Sequence, residues 1–164
     1  MDYTYLFKNN EGIKSRIGII GATRGYGYTL LAQIPKVDHL TLRLISSRNA
    51  EQCVAVLKEL GYDENLIMVC ESKSEIMNAP ADAIIVTTDY RLTVESDINS
   101  LVECTGNTAV SSDIAIAAIN RGINVYMVSK ETDSICGPYL NQLAAEKGVV
   151  YSLVNGDQPR NLID

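Results

Sequence analysis

The stretch IGIIGATRGYGYTLL, residues 17–31, constrains the fold of this chain more than any other. An apolar burst of strand length runs into Gly21, Gly25 and Gly27, and apolar residues at helical spacing follow. A strand, a glycine turn and a helix in that order open a βαβ unit, whose helix N-terminus presents backbone N–H groups to an anion. Glycines are needed there because the chain turns tightly, admits a ligand and packs helix on strand without a Cβ. The spacing is not the usual G-x-G-x-x-G. Counted from Gly21, Thr23 and Tyr26 stand where its second and third glycines would fall, and Gly25 and Gly27 give G-x-x-x-G-x-G. That reads as a dinucleotide turn lengthened by one residue; a tight turn with no ligand is the alternative.

Strand-length apolar runs alternate with helix-period segments along the rest of the chain, the pattern of a parallel sheet in a doubly wound α/β fold. Strands are expected over residues 16–20, 40–45, 66–70, 82–88, 100–104, 124–129 and 149–154. The first helix, with Leu30, Leu31 and Ile34 inward, stops at Pro35. In the second, Cys53, Leu57 and Leu60 share a face and Gly61 supplies a left-handed cap. Residues 72–79 read as a short helix ended by Pro80, and residues 89–97 as a short helix or loop. Ser112 is expected to cap an Ile- and Ala-rich helix ending at Gly122, and Pro138 to sit in the first turn of a helix ending at Gly148.

A chain of 164 residues is one ordinary domain with its own core. A net charge of −6 argues against a nucleic-acid or anionic-membrane partner, and no apolar run approaches the roughly 20 residues of a membrane span. Cys53, Cys70, Cys104 and Cys136 form no C-x-x-C pair, and with the single His39 they make no zinc pattern, so no metal is expected. They read as small buried residues of a reducing, cytoplasmic setting.

The end of the second strand points to the cofactor. An NAD site usually carries an Asp or Glu there for the adenosine ribose hydroxyls. This chain has Ser46, Ser47 and Arg48. A carboxylate would repel a 2′-phosphate, whereas hydroxyls and a guanidinium bind it, and Arg24 in the turn can reach the same group. NADP(H) is therefore expected over NAD(H), with NAD possible; the alternative leaves both arginines as solvated surface charges. Tyr126 and Lys130 also match the Tyr-x-x-x-Lys of short-chain dehydrogenases, a spacing that works only on one helical face. The segment reads as a strand, where residues i and i+4 lie roughly 13 Å apart, so the match is taken as coincidence.

The later stretches SLVECTGNT, INVYMVSKETDSICGPYL and GVVYSLVNGDQP, with the glycine turn, resemble the NAD(P)-binding domain of homoserine dehydrogenase-like oxidoreductases. Within that group the resemblance is nearest to the deoxyxylulose phosphate reductoisomerase-like branch, whose chains often end in a SAF domain. It implies that Glu103, Thr105 and Gly106 form an E-x-T-G loop beside the cofactor's ribose and nicotinamide. Ser129 and Lys130 fall where homoserine dehydrogenases carry Asn-Lys, so Lys130 would hold a carbonyl oxygen or phosphate during hydride transfer. Glu131 and Asp133 match the branch's E-x-D, although the branch usually has an apolar residue at the Lys130 position. Asp157 and Gln158, in GDQP, would contact substrate or cap a following helix.

The expectation that follows has an N-terminal helical or irregular lead-in over residues 1–14 and an NAD(P)-binding Rossmann domain over 15–164. Cofactor-binding residues are Gly21, Thr23, Arg24, Gly25, Tyr26, Gly27, Ser47, Arg48, Thr105 and Gly106, and catalytic ones Lys130, Glu131 and Asp157. The domain would belong to a longer, homo-oligomeric oxidoreductase acting on a small hydroxy or oxo compound. A non-catalytic dinucleotide sensor on the same fold is the alternative.

Overall fold

The computed structural model describes residues 14–154. The expected lead-in, apart from Lys14, lies outside the described residues, as do Asp157 and the GDQP element. Seven parallel strands form one sheet: β1 (Ser15–Ile20), β2 (Leu40–Ser46), β3 (Ile67–Val69), β4 (Ile84–Thr87), β5 (Ser100–Glu103), β6 (Asn124–Met127) and β7 (Tyr151–Leu153). Their order across the sheet is β3-β4-β2-β1-β5-β6-β7. Helices α1 (Gly25–Gln33), α2 (Ala50–Glu59), α3 (Lys73–Asn78), α4 (Thr108–Asn120) and α5 (Lys130–Lys147) connect them. This is the doubly wound α/β arrangement of a Rossmann fold.

Both faces of the sheet are covered, which is why its central strands read as continuous apolar runs. Ile17, Ile19, Leu42 and Val102 pack with Leu31 of α1 and with Cys53 and Leu57 of α2. Ile20, Leu101, Val125 and Met127 point the other way, onto Ile114 and Ala118 of α4 and Leu140 and Ala144 of α5. Residues 89–97, ambiguous in sequence, hold a 3-10 turn over Tyr90–Glu95. Gly61, Gly122 and Gly148 end α2, α4 and α5 with φ of +83°, +77° and +69°. Among the described residues no helix is long and apolar enough to cross a membrane.

Two sequence expectations are corrected. Helix α4 is capped by Asn107, whose Oδ1 accepts from the N–H groups of Ala109 and Val110 at 3.1 Å, and not by Ser112. Both residue types cap helices, but here the chain leaves β5 and turns within four residues, so Asn107 comes first. Ser112 lies inside the helix, its hydroxyl bonded back to Thr108 O at 2.8 Å. Likewise α5 begins at Lys130, with Ser129 at its N-cap, and Pro138 lies inside it. The helix is held across that interruption by buried Thr132, Leu140 and Ala144, while Pro138 itself is exposed. Tertiary packing here outweighs a local cost of about 3 kcal/mol.

Candidate functional site

The winding of the sheet reverses between β1 and its neighbour β5, so the loops leaving these two strands diverge and leave a crevice at the carboxyl edge. Gly21 begins the first loop. Its N–H donates to Ser46 O on β2 at 3.0 Å, while Cys104 N–H donates to Ile20 O at 2.9 Å. Gly21 has φ +83°, and a Cβ on it would lie 2.9 Å from the Cys104 carbonyl and 3.0 Å from Thr105 Cα. Only glycine satisfies both the backbone angle and the contact.

The structure explains the irregular glycine spacing. A Cβ on Gly27 would lie 2.6 Å from both Ala22 Cα and Gly21 O, so Gly27 is where helix α1 abuts the turn. That is the task of the last glycine in the usual fingerprint, performed one residue later. Gly25 has open space around it and φ +56°, so it serves the bend into the helix. Arg24 stands at the N-cap of α1 in extended conformation and its side chain makes no cap bond, in contrast to Asn49 on α2, Ser72 on α3 and Asn107 on α4. The positive end of α1 therefore carries no side-chain acceptor at its cap.

A cavity of about 870 Å³ opens there, lined by Gly21, Thr23, Arg24, Ser47, Arg48 and Thr105 among the residues expected from sequence. Two arginines line it, and no Asp or Glu is among its described lining residues, although the chain carries a net charge of −6. Besides Ile20 and Ser46 at the ends of β1 and β2, its remaining walls come from Asn49 at the N-cap of α2 and Gln52 within it, Thr88 and Tyr90 after β4, and Cys104, Asn107 and Val110 after β5. Sequence reading missed these. Asn107 was legible as a capping residue, but Thr88 closes an expected strand with nothing in sequence to mark it as lining a site, and Tyr90 sits in the ambiguous stretch 89–97. Tyr90 is fixed by a 2.9 Å bond from its hydroxyl to Asp113 Oδ2. That bond, followed by burial, raises the Tyr90 pKa above its ordinary value. Burial, reinforced by the charge of Glu103, pushes the Cys104 thiol up to about 12. Thr88 is held by Glu71, which accepts from its hydroxyl at 2.8 Å and from its N–H at 3.2 Å.

The other expected residues lie around the cavity rather than on it. Gly25, Tyr26 and Gly27 form the start of α1 behind the turn. Gly106 donates its N–H to Ser129 Oγ at 2.9 Å, which ties the loop after β5 to the N-terminus of α5. Lys130 and Glu131 occupy the first turn of α5, half-buried and exposed, on the same carboxyl edge of the sheet but not among the cavity-lining residues. Tyr126 is in β6 while Lys130 begins α5, so the pair does not share a helical face.

No protein-family model matches the chain, and no curated protein sequence matches it. Solved structures do. An apo scyllo-inositol dehydrogenase from Lactobacillus casei superposes with a TM-score of 0.58 at 19% identity over 86% of this chain and 36% of that one. A homoserine dehydrogenase from Thiobacillus denitrificans gives 0.61 at 18% identity, over 85% of this chain and 29% of that one. A biliverdin reductase from Synechocystis, solved with biliverdin and NADP+, gives 0.59 at 18%, over 85% and 37%. The likeness is one of fold, and the chain spans about a third of the length of these proteins.

Proposed function

We propose that this chain is the NADP(H)-binding domain of an oxidoreductase that transfers hydride to or from a small hydroxy or oxo compound. The observation that carries the reading is the charge of the cavity: two guanidinium groups and no carboxylate among its described lining residues, in an acidic chain. An anion with more than one phosphate fits that field. The residues present suit the group. Gly21 and Gly27 let the turn close tightly on the Cys104–Thr105 peptide and on the start of α1, and α1 offers N–H groups at an end with no side-chain cap. Ser47 and Arg48 follow β2, the position of a ribose-binding carboxylate in NAD sites, and with Arg24 would hold a 2′-phosphate.

The bound dinucleotide would supply the hydride acceptor or donor. The chain's own part is to orient it and to hold the loop after β5 in place through Glu103, Thr105 and Ser129. Lys130 and Glu131, at the start of α5, would meet substrate at the same sheet edge. The resemblance to homoserine dehydrogenase-like enzymes supports this reading, as does the fold shared with a scyllo-inositol dehydrogenase solved with NAD(H) and a biliverdin reductase solved with NADP+. The nearer likeness to the reductoisomerase-like branch, a substrate-bearing remainder and a homo-oligomeric enzyme belong to the same proposal. A non-catalytic dinucleotide sensor is the second reading, favoured by the position of Lys130 and Glu131 off the cavity wall. Saturable quenching of NADPH fluorescence together with a rise in Tm on adding NADP+ is expected; absence of both would refute dinucleotide binding.

A further inference from the structure

Among the described residues Glu103 is the only buried acidic side chain, with 0% exposure. It ends β5 and points, like Leu101 two residues earlier, into the layer of α4 and α5. Its Oε1 accepts from Thr105 N–H at 2.7 Å and from Thr105 Oγ1 at 2.5 Å. Its Oε2 is buried and has no hydrogen-bond partner. Thr105 Oγ1 also accepts from Asn107 N–H at 3.1 Å, and Gly106 N–H is taken by Ser129 Oγ. The N–H groups of Thr105 and Gly106 and the Thr105 hydroxyl are thus consumed within the protein. A shape role alone does not require a buried carboxylate, since a neutral amide oxygen accepts the same two bonds.

The position of the charge suggests what it does. The cavity is polarised: Arg24, Ser47 and Arg48 lie on its β1–β2 side, Cys104 and Thr105 on its β5 side. With a 2′-phosphate at the arginines and the pyrophosphate at the turn, a bound dinucleotide would bring its nicotinamide to the β5 side, across the crevice. Glu103 stands directly behind that wall. The oxidised nicotinamide ring carries a positive charge and the reduced ring carries none. We propose that Glu103 selects between cofactor redox states, stabilising the oxidised dinucleotide over the reduced one through its buried charge. This rests on the dinucleotide reading above.

The test is calorimetric titration of the full chain with NADP+ and with NADPH, for the wild type, E103Q and E103D. Two unit charges about 10 Å apart, at an effective dielectric constant near 20, alter affinity on the order of ten-fold. The wild type should bind NADP+ about that much more tightly than NADPH. E103Q should lose most of the difference by weakening NADP+ alone. E103D keeps the charge but breaks the fit to Thr105, so it should weaken both forms and retain their ratio. A purely structural Glu103 would move both forms together in E103Q, which overturns the proposal. A wild-type ratio at or below one overturns it too, even where E103Q fails to fold. If neither redox form of either NADP or NAD binds the wild type, the dinucleotide reading itself falls, and this proposal with it.

Discussion

Replacing Gly27 by Ala sets two physical effects of opposite sign against each other. In a helix interior Gly→Ala ordinarily gains about 1 kcal/mol, because the backbone loses freedom in the unfolded state and adds a good helix former. In α1 the new Cβ would lie 2.6 Å from Ala22 Cα and 2.6 Å from Gly21 O, both backbone atoms that cannot rotate away. To restore an ordinary contact near 3.4 Å the first turn of the helix must retreat by about 0.8 Å. Forcing a methyl into such a site costs about 3 kcal/mol, the upper end for overpacking. The net loss is about 2 kcal/mol, equivalent to a fall in Tm of roughly 4–8 °C for a domain of this size. Differential scanning calorimetry reads the stability, and titration with NADPH should show at least a ten-fold loss of affinity as the helix end leaves the turn. A Tm that rises by the amount propensity alone demands, with NADPH affinity unchanged, would refute the role given to Gly27.

Arg48→Ala should weaken NADP+ by about ten- to a hundred-fold, the worth of a charge-assisted bond, and leave NAD+ nearly unchanged, as measured by parallel titrations. Pro138→Ala should raise the stability by about 1–3 kcal/mol by restoring an N–H within α5; unfolding in urea measures it. Arg43, 4% exposed, bonds Asp97 at 2.6 Å and the carbonyls of Pro80 and Ala83 at 2.7 and 2.6 Å. Arg43→Met strands these acceptors and should cost about 2–4 kcal/mol in the same assay. Burial pushes the Asp97 carboxyl up, but the Arg43 bond and the charges of Arg43 and Arg16 outweigh it and hold the pKa below the usual 3.8. A depressed acid pKa gives stability that is present above 3.8 and lost as pH falls through the lower folded value. Acid unfolding of Asp97→Asn should therefore be flatter than that of the wild type below about pH 4.

The sheet was legible in the sequence because both of its faces are buried, so each central strand announced itself as an apolar run between turn residues. Cys53 and Leu57 showed their shared face, Gly61 its left-handed cap, and Gly122 and Gly148 the ends of their helices, through local rules that hold with or without tertiary structure. Local rules failed where packing decided. Pro138 looked like a helix start and sits inside α5, whose buried residues on either side carry the helix past it. Ser112 was a credible cap, yet the short exit from β5 gave that position to Asn107.

The cavity was half legible. Gly21, Thr23, Arg24, Ser47, Arg48 and Thr105 were visible as a turn, a strand end and a loop. What joins them is long-range: the contact of Gly21 with the Cys104–Thr105 peptide is a meeting that no spacing rule contains. Tyr90 needed Asp113, 23 residues away, to be positioned. Thr105 shows the limit from the other side. The resemblance put it beside the cofactor's ribose and nicotinamide, but in the fold its hydroxyl is spent on Glu103 and Asn107.

The central claim is that the arginine-lined cavity takes a 2′-phosphorylated dinucleotide. Titrating the 164-residue chain with NADP+ and NAD+ side by side by isothermal calorimetry tests it most directly. Saturable one-to-one binding, with NADP+ tighter by at least ten-fold, is the predicted result. Equal affinities, tighter NAD+, or no heat from either ligand would contradict it.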